Sequence, residues 1–422
     1  MAENPAMKFG TMRGKTPEEA KFFWTGGPVQ VAERTWFASQ FSGCTAFETD
    51  EGIVLVDTGT RQFAPVLAAM LRQKTQAPVH TAIYTHGHID HAYGLEAFLM
   101  PGQEKPRVIA HSAMPARFER YAATARHNAA LNARQFGGTV EAQSNDAYAA
   151  FGTPPIPPDT LYDHEMHIYV GGVPFALRHC RGETDDHTWV WCPDRGVLCP
   201  GDLFIWAVPN DGNPQKVQRY PWDRAKGLRE MTHCHAQALC PGHGGPVIGD
   251  KDKIVRMLTE TADFLETVVS RTMAAMENGS PPHVDIVTGI DLPKSDSPWL
   301  QPVYDDTEFL VRNVIRYYGG WWSGRPSELK PAPRDQLAQE IASLGGGAAK
   351  LAERAVTLSH AGEHRLACHL ADYALEAAPS DISVQEMVAT VYDKRAESET
   401  SLMAINIFNS AAAYARAGRA FA

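Results

Sequence analysis

Four side chains of metal-binding type fall within six positions in the run Thr85-His86-Gly87-His88-Ile89-Asp90-His91. The run follows the apolar stretch Val79–Tyr84, which reads as a buried strand whose end turns the cluster inward. His86 and His88 project from alternate positions of an extended loop, and Asp90 and His91 fall where a helix begins. Four ligands in so short a run do not easily wrap one tetrahedral ion, so the split suits two adjacent cations. The plainer alternative is a polar strand-to-helix turn with surface histidines. His233 and His235, flanking Cys234, repeat the alternate spacing but read as helix capping or packing.

The elements that position this run are legible around it. Residues 28–59 alternate short β-branched and aromatic stretches with turns, and Gly52–Asp57 is apolar throughout, as in a strand buried on both faces. A helical stretch at 64–75 links it to the strand before the cluster, which makes a right-handed strand–helix–strand unit. Residues 112–150 read as an Ala-rich helical insert. Strands follow at 166–172, 173–179, 187–192 and 196–202, then a helix around 224–231, a strand at 237–245 and a helix over 250–277. Beyond a Pro/Gly/Asp-rich stretch at 278–299 the chain reads as helices punctuated by Gly and Pro. At ~100–200 residues per domain, 422 residues make two or three units. The pattern predicts two: an α/β catalytic domain over 1–280 and a helical domain over 281–422.

Composition narrows the function classes. Hydrophobic residues at 44% and charged residues at 21% exclude a mainly disordered chain. A net charge of −10 repels a polyphosphate backbone, so no nucleic-acid partner is expected. With no apolar run of membrane-spanning length, no membrane insertion is expected. The N-terminal segment lacks the apolar core of a signal peptide, and seven Cys without a Cys-x-x-Cys pair read as reduced thiols, so the expected location is cytoplasmic. No Gly-x-Ser-x-Gly nucleophile turn occurs.

The strand ending in Asp57-Thr-Gly59, followed by His86-x-His88-x-Asp90-His91, resembles the metallo-β-lactamase superfamily. Three further segments continue the likeness in order: His179-Cys-Arg-Gly-Glu183, Cys199-Pro-Gly-Asp202 and Pro241-Gly-His243-Gly-Gly245. The resemblance covers about residues 28–250 and implies a four-layer αβ/βα sandwich with a metal site at one edge of the sheets. It implies one metal on His86, His88 and Glu183, a second on Asp90, His91 and His243, and Asp202 bridging them. Glu183 departs from the His that many members carry there. Asp57 matches an Asp that holds the ligand loop rather than binding metal. Zinc is the default with imidazole ligands, and three carboxylates also suit manganese or iron. With a bridging hydroxide, three carboxylates would neutralise two dications, so an anionic substrate would need separate donors.

In the helical half, Arg316-Tyr-Tyr-Gly-Gly-Trp-Trp-Ser-Gly-Arg-Pro-Ser-Glu-Leu329 resembles the dimerisation domain of alkyl sulfatases, with interdomain packing by Trp321 and Trp322 as the alternative. That likeness implies a homodimeric, dinuclear hydrolase of alkyl sulfate esters acting through bridging hydroxide, with Asp90, Asp202 and His187 as catalytic candidates. His187 is read either as a support behind the ligands or as a proton-transfer group. Two departures stand out: the chain ends at Ala422 without the family's sterol-carrier-like domain, and no Leu-Arg-Gly run follows Asp202. The anion-holding residues are therefore sought among Arg219, Lys216, Arg134 and Asn128, and Trp206 is the candidate for touching an apolar substrate. Rival readings are a lactone, carboxylic ester or thioester hydrolase of the same fold, and a non-catalytic, metal-stabilised dimeric binding protein.

Overall fold

The computed structural model describes residues 19–136, 151, 156–279, 284–419 and 421. Residues 137–150 of the expected helical insert lie outside the described residues.

Two sheets carry the N-terminal half. The first runs in the order β1 (Gly26–Ala32), β2 (Thr35–Ser39), β3 (Gly43–Thr49), β4 (Gly52–Val56), β5 (Val79–Ile83), β6 (Arg107–His111) and β7 (Thr160–Tyr162). Its pairs are antiparallel up to β4 and parallel from β4 onward. The second comprises β8 (Glu165–Val170), β9 (Val173–His179), β10 (Thr188–Cys192), β11 (Val197–Ile205), β12 (Ala238–His243) and β13 (Val247–Ile248), ordered β13-β12-β11-β10-β9-β8. Only β11 and β12 are parallel there.

The layers follow from which side chains each face buries. In β4, Val54 and Val56 join Phe37, Phe47 and Ile83 against Ile168, Phe175, Leu177 and Val190 of the second sheet. Ile53 and Leu55, on the opposite face of β4, pack outward with residues of α1 (Ala64–Arg72) and α3 (Met114–Ala123). The continuous apolar run therefore serves two cores. Between these helices in sequence lies the short α2 (Ile89–Ala92), and α4 (Ala125–Gln135) follows α3. Behind the second sheet, Leu198, Leu203 and Phe204 pack against α5 (Pro221–Thr232) and α6 (Lys251–Glu277). Helix, sheet, sheet, helix is the expected four-layer sandwich. Asp250 starts α6 by accepting the Lys253 amide at 2.9 Å.

The remaining described helices are α7 (Val284–Gly289), α8 (Thr307–Tyr318), α9 (Pro326–Leu329), α10 (Arg334–Gly345), α11 (Ala348–His360), α12 (His364–Ala377), α13 (Ile382–Glu397) and α14 (Leu402–Arg416). Helices α10 to α14 share a core of their own, rich in Ala. Helix α8 does not belong to it: Leu310, Val311 and Ile315 pack into the core behind the second sheet, with Leu258 and Leu265 of α6. Among the described residues no helix is long and apolar enough to cross a membrane.

Candidate metal centre

The seven ligand-type residues and Asp57 behind them converge at one edge of the sandwich, on loops and strand ends that the two sheets aim at each other. Asp57 follows β4; His86 and His88 follow β5; Asp90 and His91 lie in α2; Glu183 lies between β9 and β10; Asp202 lies in β11; and His243 ends β12. Donor atoms of His86, His88 and Asp202 lie within 4.8 Å of one another, as do those of Asp90, His91 and His243. Asp202 faces both groups: Oδ1 is 3.4 Å from His91 Nε2, and Oδ2 is 3.8 Å from His86 Nε2 and 3.3 Å from His243 Nε2. Glu183 approaches from the side, with Oε1 3.6 Å from His88 Nδ1. The first group thus gathers around Asp202, the residue expected to bridge, with Glu183 beside His88.

Three buried atoms in this cluster have no hydrogen-bond partner: His91 Nε2, Asp202 Oδ1 and Glu183 Oε2. Orphaned acceptors are costly in a protein interior, and divalent cations between the two groups satisfy all three. The donor set, imidazole nitrogens with carboxylate oxygens, fits such ions.

Groups behind the ligands fix their tautomers. Asp57 sits at φ 59° in the left-handed region, strained for a residue with a side chain. Its Oδ1 accepts the Thr85 amide, and its Oδ2 accepts both the Thr85 hydroxyl and His91 Nδ1, all at 2.8 Å. The Thr85 hydroxyl in turn accepts His86 Nδ1 at 3.0 Å. His243 Nδ1 donates to the Phe41 carbonyl at 2.8 Å. Protons on the three Nδ1 atoms leave each Nε2 free to face the centre. Asp186 accepts the Gly87 amide and is itself held by the buried Arg117, which also pairs with Asp185. Gly242 must be glycine, because a Cβ there would collide with Asp202 Oδ1.

Crowding shows in the protonation equilibria. Burial and the neighbouring imidazoles hold His86 well below the usual histidine range. Burial alone would raise Asp202, but His243 and His91 outweigh it and hold the carboxyl well below its usual range. Burial would lower His243, yet Asp202 and Asp90 push it up to about 10. Glu183 is raised by burial, against the pull of Arg219.

The cluster forms the floor of a cavity of about 520 Å³. Phe22, Phe41, Phe63, Ile89, Tyr121, Phe136, Phe151, Ile205 and Tyr304 supply its apolar lining, and Asn210, Asn213, Lys216 and Arg219 are its polar residues near Glu183. Arg219 is buried, pairs with Glu183 Oε1 at 2.6 Å and keeps its Nε without a partner. Asn210 Nδ2 donates to the same carboxylate oxygen at 2.7 Å. Lys216 Nζ donates to Asn132 at 3.0 Å, and burial followed by repulsion from Arg219 pulls it down to about 8.

Three expected substrate contacts do not reach this cavity. Trp206 follows the end of β11 and is fully buried, its indole N–H donating to the Gly245 carbonyl at 2.7 Å, while Ile205 at the strand end lines the space. Asn128 bonds back to Thr124 within the same helical stretch. The Arg134 guanidinium lies over the Phe421 ring, 5.6 Å from its centroid. His187 is also fully buried: it stacks on His86 at 4.7 Å, its Nε2 accepts the Asp202 amide at 3.0 Å, and it is not among the residues lining the cavity. Tyr304, Arg117 and Arg224 were not singled out in the sequence. Each joins the site through a contact with residues far away along the chain, and no local spacing signals such a contact.

Comparison with known proteins agrees with this geometry. Residues 41–258 match the family described as metallo-beta-lactamase superfamily, and residues 283–418 match alkyl sulfatase dimerisation. Among curated proteins, a linear primary-alkylsulfatase of Pseudomonas is 25% identical over 362 residues, spanning 81% of this chain and 68% of that protein. An alkyl/aryl-sulfatase of Saccharomyces cerevisiae is 24% identical over 385 residues, spanning 84% of this chain and 58% of that protein. The solved structure of the stereoselective inverting sec-alkylsulfatase Pisa1 from Pseudomonas superposes with a TM-score of 0.81 at 21% identity, covering 92% of this chain and 65% of that one. The chain thus spans less than two thirds of several relatives. The fold implies divalent metal binding, and the chain belongs to the metallo-beta-lactamase superfamily, with an alkyl sulfatase dimerisation region joined to its α/β sandwich.

Proposed function

We propose that this protein is a divalent-metal-dependent hydrolase of alkyl sulfate esters, working as a homodimer. The observation that carries the reading is the cavity itself: an acidic and imidazole floor, the cationic side chains of Lys216 and Arg219 beside it, and aromatic walls above. The alkylsulfatase relatives support the substrate class, and the dimerisation match supports the homodimer.

In this reading His86, His88 and Asp202, with Glu183 from the side, hold one cation, and Asp90, His91 and His243 hold the other. Such ions, when bound, supply water activation near neutral pH and polarise the ester oxygens. The chain's own residues do the rest. The Arg219 guanidinium and the Lys216 ammonium, both lining the cavity, grip the sulfate oxygens, because charge-assisted donors in a partly dry cavity are the strong ones. Phe41, Phe136 and Tyr304 enclose the alkyl chain and displace water from it. Asp57, through His91 and Thr85, keeps the imidazoles in the tautomer that faces the centre.

The test is sulfate release by zinc-loaded protein from a medium-chain alkyl sulfate, run beside a lactone, a carboxylic ester and a thioester. Sulfate release that a chelator abolishes and zinc restores is the expected result. Turnover of one of the other esters with none of the sulfate overturns the substrate assignment, and no turnover of any overturns the hydrolase reading.

A further inference from the structure

Arg224 lies in α5, wholly out of contact with solvent. Its Nε donates to the Leu203 carbonyl at 3.0 Å, its Nη2 donates to the Asp202 carbonyl, and its Nη1 pairs with Asp211 Oδ1 at 3.0 Å. The first two bonds grip the backbone of β11 at the residue whose carboxylate stands between the two donor groups. The third reaches the loop after β11. There Asn210, next to Asp211, donates to Glu183 Oε1. The Asn210 carbonyl accepts Arg219, which pairs with the same Glu183 oxygen. The stem of Arg224 also packs against the backbone before Glu183: a Cβ on Gly182 would sit 3.4 Å from its Cβ and Cγ. A guanidinium holds its donors in a rigid planar fork, so these ties fix the relative placement of three segments at once.

We propose that Arg224 is a positioning residue that sets the separation of Asp202 and Glu183, and so the affinity of the donor group formed by His86, His88 and Asp202. It touches neither the cavity nor any donor atom facing it. Its influence passes through the peptide of Asp202 on one side and through Asp211, Asn210 and Arg219 on the other. The group of Asp90, His91 and His243 also has Asp202 beside it, 3.4 Å from His91 and 3.3 Å from His243, but carries supports of its own in Asp57 and Phe41, so loss of Arg224 acts on both groups and more strongly on the first. This inference rests on the metal-centre reading given above.

The experiment uses the full chain, with zinc affinity measured by competition against a chromophoric chelator and the visible spectrum recorded after cobalt(II) substitution. Arg224→Met is combined with Asp211→Asn so that no buried charge is left alone, and far-ultraviolet circular dichroism checks the fold. The expected result is one zinc bound about 10- to 100-fold more weakly, the range found when groups supporting metal ligands are removed, and the other weakened less. The cobalt band should change shape as well as intensity. Arg224→Lys, which keeps the charge but not the fork, should fall between. Two zinc ions held at parental affinity with an unchanged cobalt spectrum in the folded double variant overturn the role of Arg224. If the double variant does not fold, the same unchanged result in Arg224→Lys overturns it. A parent protein that takes up no metal overturns the underlying reading instead.

Discussion

Asp57 and Arg219 show how much at this site depends on residues that hold other residues. Asp57 anchors His91 directly and His86 through Thr85. Asp57→Ala should therefore weaken zinc binding by about 10- to 100-fold, as read by chelator competition. Arg219 changes the charge balance drawn from the sequence. With two dications bound, three carboxylates and an anionic oxygen would offset them, and Arg219, paired with one of those carboxylates, would leave the site net positive. The Glu in place of a family His thus comes with its own counter-charge, and the proposed sulfate monoanion would be attracted after all. Lys216 adds a titrating donor. Lys216→Met should raise KM for an alkyl sulfate by about 10- to 100-fold, the worth of one charge-assisted hydrogen bond, with a smaller change in kcat. Because the ammonium is pulled down to about 8, KM should rise as pH climbs through 8, and Lys216→Arg should flatten that rise. The ligand-type residues were legible because their types are rare and their spacing is tight. Arg219 and its pairing with Glu183 were half legible: the residue was a candidate, the partner was not. Asn128 and Arg134 failed as candidates because helical position alone does not say which face meets a cavity.

At the scale of elements, the buried hydrophobic runs were the readable part. Strands β4, β5 and β11, helix α6 and the five C-terminal helices α10–α14 lie where apolar periodicity and capping residues put them. Strands β6 and β7 were not read. The second has three residues beside a Pro-rich stretch, too short for a period to emerge. The segment before α8 holds a further feature without a sequence signature. Asp305 is buried, accepts the Gly212 amide at 2.7 Å and the Asp306 amide at 2.8 Å, and is pushed up to about 8 by burial. Its unfolded value is about 3.9. Between those values the native chain keeps a proton that the unfolded chain has released, so stability falls as pH rises from about 4 to about 8. In Asp305→Asn this contribution to the slope disappears. Melting temperatures of the two proteins, measured from pH 4.5 to 8, should shift in favour of the variant as pH increases. A constant difference would mean that Asp305 is ionised in the folded protein throughout.

Across the whole molecule the two halves are less separable than the boundary in the sequence suggested. Helix α8, C-terminal to the Pro/Gly-rich stretch, completes the core behind the second sheet, and Tyr304 just before it closes the cavity. The polar, Pro-rich composition of 278–299 marked a change of chain character, and composition carries no information on where the next helix docks. The Trp321 and Trp322 that the sequence could offer as interdomain packing are instead exposed, Trp321 to 73%, and Leu344 is 85% accessible. Side chains of that size and exposure fit a surface covered by a second copy, in keeping with the dimerisation match over 283–418. Trp321→Ser combined with Leu344→Ser should shift the mass measured by light scattering from dimer to monomer, with the melting profile of the separate core of α10–α14 retained.

The cavity draws its wall from Phe22, from α4, from the loop after β11 and from Tyr304, and this spread sets an order of events during synthesis. Every ligand-type residue has left the ribosome once His243 has emerged, while Tyr304 and α8 are still to be made. For that interval the nascent chain can present its ion-binding floor to the surrounding solution with one wall missing. Ions bound before α8 docks would enter past the missing wall, whereas ions bound later have to pass through the finished mouth of the cavity.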